Sequence, residues 1–250
     1  MEFALMTAAG VGGATVVGAA IGFCFRSIPH KFNDVLLSFA AGVMLAAAMI
    51  GLILPSIELG GQHGVWVTLL GIFCGAVFLN FADRFVPHLH NLAGVDSERH
   101  SNSEDLDKIL LFVLAIAIHN MPEGIAAGVA AGQGNTASSA SVTIGIMLQN
   151  VPEGMIVVSP LLAAGVSRRR AFSLAAMTGV IEIIGTIVGY FAVSIAAIIL
   201  PFALAFAGGT MLYVVGDEMI PETHSHGFER AATYMLLVGF GLMLMMDFYL

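Results

Sequence analysis

The 250 residues carry 9 Lys and Arg against 17 Asp and Glu, a formal net charge of −8, yet only 10% of the chain is charged and 58% is hydrophobic. Mean hydropathy is +0.93. Soluble domains carry about 25% charged residues, so this composition excludes a water-exposed globular surface, and a chain this poor in basic residues excludes a nucleic-acid partner.

In chain order, eight segments are apolar enough to meet the roughly 20 residues that a bilayer-spanning helix needs. They are 3–25, 34–57, 64–86, 108–132, 140–164, 170–192, 199–221 and 230–249. The breaks are RSIPHK, GGQHG, the polar stretch from Pro87 to Lys108, QGNTASS, GVSRRR, Leu200-Pro201 and ETHSHGFER. The runs are too long for strands and lack alternation. The expected architecture is an all-α integral membrane protein in a single domain over 1–250, with a short cytoplasmic loop at about 87–107. The N-terminus has Glu2 and no basic region, so no cleavable signal is expected, and Cys24 and Cys74 fall in apolar runs as small core residues.

The basic residues orient the spans. Arg26, Lys31, Arg84, Arg99, Lys108, Arg168, Arg169, Arg170 and Arg230 all fall at the loops between spans 1 and 2, 3 and 4, 5 and 6, or 7 and 8. Basic loops stay in the cytoplasm, so both termini are expected outside. The compact loops and absent targeting segment point to a bacterial inner membrane.

HNMPEG at 119–124 and QNVPEG at 149–154 interrupt consecutive spans with polar groups. An ionisable side chain at the bilayer centre costs at least about 2.5–3.5 kcal/mol and marks function by default. His119 and Glu123 share a helix face at i,i+4, as do Gln149 and Glu153. Asn120 and Asn150 each stand three residues before their Glu. Adjacent spans are antiparallel, so the two motifs meet near the midplane. Pro122 and Pro152 crowd the carbonyls of Ile118 and Leu148, and paired proline-broken helices point to a transporter's binding site. Glu182 is a third mid-span carboxylate. Carboxylates with an imidazole and no thiolate suit Zn, Fe, Co, Mn or Cd. Such ligands bind metal deprotonated, so binding releases protons and weakens at low pH.

The paired motifs resemble the signature of the ZIP family of zinc and iron transporters, with QNxPEG typical of its GufA-like branch. That resemblance implies an eight-helix, 3+2+3 inverted-repeat bundle. It implies carriage of divalent metal, zinc foremost, into the cytoplasm through a binuclear site between the fourth and fifth helices. The metal is the transported substrate, with no catalytic cofactor. By matching motif positions, one metal is held by His119, Glu123, Gln149 and Glu153 with Met44 of AAGVMLAA. The second is held by Asn120, Asn150 and Glu182 of GVIEIIG, with Glu123 and Glu153 bridging. Asn150 stands where some relatives have Asp, and Ile183 where many have Pro. An exit-side site is implied at Asp83, His88 and His90 of DRFVPHLH with Glu218 of VGDEMIPE. The first, fourth, fifth and sixth spans are implied to move against the rest. LPSIE (54–58) against IPE (220–222) is the visible trace of the repeat. The partners expected are divalent metal ions and lipid, and the bundle admits a homodimer.

Two other classes compete. An intramembrane metalloenzyme would need HExxH or Glu-x-x-His pairs, which the spans lack. A membrane metal sensor would bind without flux. PHLH and THSH (His224, His226) suit weak cytoplasmic metal binding, a relay or a sensor, or are plain solvated loop residues. His30 and His63 are read as interfacial.

Overall fold

The computed structural model describes residues 1–24, 29–83, 119–133, 136–163, 165–195 and 197–250, and every regular element among them is helical. The helices are α1 (Glu2–Gly22), α2 (His30–Ala46), α3 (Leu54–Leu59), α4 (Gly64–Asp83), α5 (119–131), α6 (Thr136–Ala163), α7 (Arg168–Ile195), α8 (Leu200–Val214), α9 (Ile220–Thr223) and α10 (Glu229–Tyr249). Seven stretches among the described residues are long and apolar enough to cross a membrane. Of the predicted fourth span, only 119–132 lies among the described residues. The helices overrun several predicted ends. The second span begins at His30 rather than 34, because Pro29 caps it in an extended conformation. The sixth takes in Arg168, Arg169 and Arg170. Hydropathy marks the part of a helix in lipid, whereas the backbone stays helical into the interface.

Two spans change pitch. A π-helical segment, Ala47–Ile53, joins α2 to α3, and another, Val215–Met219, joins α8 to α9. Each is followed by a proline at the start of the next α segment, Pro55 and Pro221. Proline removes a donor and crowds the carbonyl four residues back, and the wider π turn relieves that crowding. The two sequence echoes LPSIE and IPE therefore sit on the same local distortion.

Glycine contacts sort the helices into two groups. A Cβ on Gly12 would strike the Gly179 carbonyl, on Gly18 the Val151 carbonyl, on Gly128 the Thr186 carbonyl, and on Gly154 the Thr15 carbonyl. These contacts tie α1, α5, α6 and α7 together backbone to backbone. In the same way Gly42 meets Leu236 and Gly239 meets Phe39, joining α2 to α10, while Gly75 meets Phe206 and Gly209 meets Ile72, joining α4 to α8. Small residues let membrane helices approach this closely. Where the groups meet, side chains intervene: Val142 against Gly51, and Met243 against Gly145.

The ends of the bundle differ in charge. His226 reaches Asp34, and Lys31 lies over the Phe228 ring, so α2 and α10 begin at one end. Phe23 packs on Phe172, which ties the exit of α1 to the start of α7. The described basic residues Lys31, Arg168, Arg169, Arg170 and Arg230 belong to these element ends. At the opposite end the N-terminal ammonium donates to the Tyr190 hydroxyl, and Ser141 donates to Asp247, three residues from the last. Both termini thus lie opposite the described basic residues. The flanks expose large apolar side chains, among them Trp66, Phe73, Val77 and Leu237, as lipid-facing surfaces do. Cys24 is exposed at the end of α1, not in the core as the sequence suggested, because it lies beyond the close helix contacts.

Gly128→Ala forces two backbones apart and should lower stability by roughly 1–3 kcal/mol. Gly13→Ala, whose Cβ would meet nothing within 4 Å, should leave it unchanged or raised. Thermal melts of the detergent-purified variants separate the two outcomes.

Candidate metal centre

α5, α6 and α7 bring the motif residues together. Glu123 is 2% exposed, Asn120 is buried, and Gln149, Asn150 and Glu182 are fully buried. Glu153 is half-buried on α6. It lies within coulombic reach of both Glu123 and Glu182. The motif glycines build this convergence. A Cβ on Gly124 would collide with the Glu182 carbonyl, and one on Gly154 with the Thr15 carbonyl. The glycine of each Pro-Glu-Gly thus admits the neighbouring helix that supplies the next polar group. Pro152 does not break α6, which runs unbroken from Thr136 to Ala163. Its fixed φ fits the helix, and the expected proline break is corrected to a continuous helix.

The carboxylates are treated unequally. Glu182 is saturated with donors. Thr15 Oγ1 lies 2.8 Å from both of its oxygens, Asn120 Nδ2 donates to Oε1, and Asn150 Nδ2 donates to Oε2 at 2.7 Å. Asn150 Nδ2 also reaches the Val11 carbonyl at 3.2 Å. Glu123 Oε2, both amide atoms of Gln149, and Asn150 Oδ1 are buried without a hydrogen-bond partner among the described residues. Gln149 approaches Glu123 but makes no bond of normal geometry.

His119 begins the described part of α5, and its Nε2 lies 2.9 Å from Glu218 Oε1. Glu218 sits on the second π turn, so this contact bridges the two helix groups. It is within ion-pair distance, although Glu218 Oε1 has no aligned hydrogen bond. Met44 is fully buried in an apolar cluster with Val43, Leu52 and Met211. Asp83 ends α4, while its side chain, His88 and His90 lie outside the described residues. Among the described residues no three His, Cys, Asp or Glu side chains already enclose one ion. The donor set is one of carboxylates and amides with an imidazole at its edge.

Sequence reasoning missed Thr15. It is the one hydroxyl in the run GGATVVGAA, and a lone Thr among glycines and alanines reads as packing.

A helical membrane bundle with a buried carboxylate–amide cluster among four glycine-packed helices belongs to the class of polytopic membrane proteins that handle cations. The family described as ZIP zinc transporter matches residues 107–247. Similar proteins include zinc transporter GufA of Myxococcus xanthus, 38% identical over 94% of this chain and 94% of its own. Zinc transporter ZIPB of Bordetella bronchiseptica is 36% identical over 94% of this chain and 77% of its own. Zinc transporter ZIP11 of Homo sapiens is 31% identical over 94% and 93%. The chain belongs to the ZIP zinc transporter family.

Thr15→Val keeps the shape and removes the hydroxyl that bonds Glu182. Leaving a buried carboxylate short of a donor costs about 1–3 kcal/mol, so the melting temperature should fall, and Thr15→Ser should restore it. Equal melts for Thr15→Val and wild type would remove Thr15 from the site.

Proposed function

We propose that the protein carries zinc-class divalent cations across the membrane into the cytoplasm, and that Glu123, Gln149, Glu153 and His119 hold the ion in passage. The observation behind this reading is the set of buried polar atoms on α5 and α6 that have no hydrogen-bond partner among the described residues: Glu123 Oε2, Gln149 Oε1 and Nε2, and Asn150 Oδ1. A buried polar atom without a partner costs about 1–3 kcal/mol. Glu182, on the neighbouring helix, receives donors on both of its oxygens, in contrast to Glu123. A divalent cation meets the need at Glu123, and its two charges draw Glu123 and Glu153 together against their mutual repulsion. Zinc comes from the names of the relatives. Cadmium, iron, manganese and cobalt share the preference for imidazole with carboxylate.

The second metal expected at Asn120, Asn150 and Glu182 is an auxiliary one. Both amides now point nitrogen at Glu182, so a cation there requires both to turn their oxygens inward. Eight spans in a 3+2+3 arrangement fit the matching π turns before Pro55 and Pro221. Termini outside and inward carriage fit the charge asymmetry of the two ends. The bacterial relatives GufA and ZIPB fit a bacterial plasma membrane. The relatives bear transporter names, which weighs against an enzyme.

Motion of α1, α5, α6 and α7 as a unit fits the backbone contacts inside that group. At its border with the first π segment and α10 side chains intervene, and the His119–Glu218 contact crosses to the second π turn.

Purified protein in liposomes with a metal-sensitive dye inside tests the reading. Wild type should admit zinc, Glu123→Ala and Glu153→Ala should each abolish influx, and Asn150→Ala should retain part of it. A folded wild type that binds metal stoichiometrically and passes none would make the protein a sensor or an enzyme.

A further inference from the structure

A second polar cluster lies outside the α5–α6 pair, at the end of the bundle that carries the described basic residues. His30, Asp34 and Ser38 stand on successive turns of α2 at i,i+4 spacing, so they share one face. Asp34 is fully buried. Its Oδ1 lies 3.1 Å from Nδ1 of His226, in the turn between α9 and α10. Its Oδ2 has no hydrogen-bond partner among the described residues, and neither does the buried Ser38 hydroxyl one turn deeper. His30 stacks on His226 with ring centroids 4.7 Å apart, and the Ser225 hydroxyl lies 3.2 Å from His226 Nδ1.

Burying a carboxylate costs several kcal/mol unless its charge is paired and its oxygens are bonded. A single imidazole, 28% exposed, compensates one oxygen only. The separation of the two donor atoms is informative. Atoms 3.1 Å apart can both touch one ion at about 2.1 Å, with an angle between them of about 95°, ordinary for neighbouring ligands of a transition metal. The free Oδ2 allows bidentate attachment, and Ser38 or water can complete the shell. Two protein ligands make such a site weak, as a station from which an ion leaves must be.

We infer that Asp34 and His226 form a second, low-affinity site for a divalent transition cation of the zinc class, separate from the α5–α6 cluster. The site joins α2 to the turn before α10. Its role as a landing point for an ion released toward the cytoplasm rests on the transport reading; the binding itself does not. His30, one turn before Asp34 and stacked on His226, becomes a third ligand on turning its ring.

Cobalt(II) titration of the detergent-purified Glu123→Ala/Glu153→Ala protein tests this without any flux. The d–d absorption of cobalt bound through nitrogen and oxygen should persist, and adding His226→Gln or Asp34→Asn should remove one equivalent. The same single-equivalent loss should appear when either change is made in wild type. His226→Cys should keep the ion and add a thiolate-to-cobalt charge-transfer band over the parent's spectrum. His226 is in a solvent-accessible turn, so its variants test the site even where Asp34→Asn fails to fold. Cobalt stoichiometry unchanged by His226→Gln, with no new band in His226→Cys, would overturn the proposal and leave the pair as a clasp between α2 and α10. Absence of zinc influx in liposomes would leave this result standing.

Discussion

The structure depends on how a carboxylate survives in a low-dielectric interior. An ionised carboxyl group there must be given donors or a cation, or lose its charge. Glu182 is given donors by Thr15, Asn120 and Asn150, from three different helices. Glu123 is also buried, and its Oε2 has no hydrogen-bond partner among the described residues. These two residues mark the contrast on which the proposed ion position rests.

Close packing makes that division attainable. Side chains as short as Thr15 and Asn150 reach Glu182 only because α1, α6 and α7 approach backbone to backbone at glycines. Gly124 and Gly154 follow the motif glutamates directly, so one short sequence supplies both a carboxylate and the space for the neighbouring helix. The same tight contacts make α1, α5, α6 and α7 a stiff group, whereas larger side chains such as Met243 and Val142 fill its border with the rest. A group that is rigid inside and cushioned outside suits movement as one body around a fixed site.

Much of this was legible in the sequence for physical reasons. Hydropathy marked the spans because lipid demands apolar side chains over a fixed length. The repeat of His-Asn-x-Pro-Glu-Gly and Gln-Asn-x-Pro-Glu-Gly marked the centre because matched polar spacing on neighbouring spans is hard to reconcile with lipid contact. Thr15 was illegible because a hydroxyl on a glycine–alanine helix has no periodic signal; its role exists only where α1 crosses α7. Asp34 was passed over because a carboxylate at a span's first turn reads as interfacial, and its partner His226 lies 192 residues away. The His119–Glu218 contact likewise joins helices whose packing the sequence does not state. Helix ends were misplaced where polar residues continue a helix past the hydrocarbon, as at His30 and Arg168.

On the proposed reading the ion sits where buried polar atoms lack hydrogen-bond partners among the described residues. Anomalous diffraction at the zinc edge from zinc-loaded crystals locates the ion directly. The principal peak should lie between α5 and α6, within coordination distance of Glu123 and Glu153 and next to Gln149. A principal peak enclosed by Glu182, Thr15 and Asn120, with Glu123 remote from metal, would contradict the account.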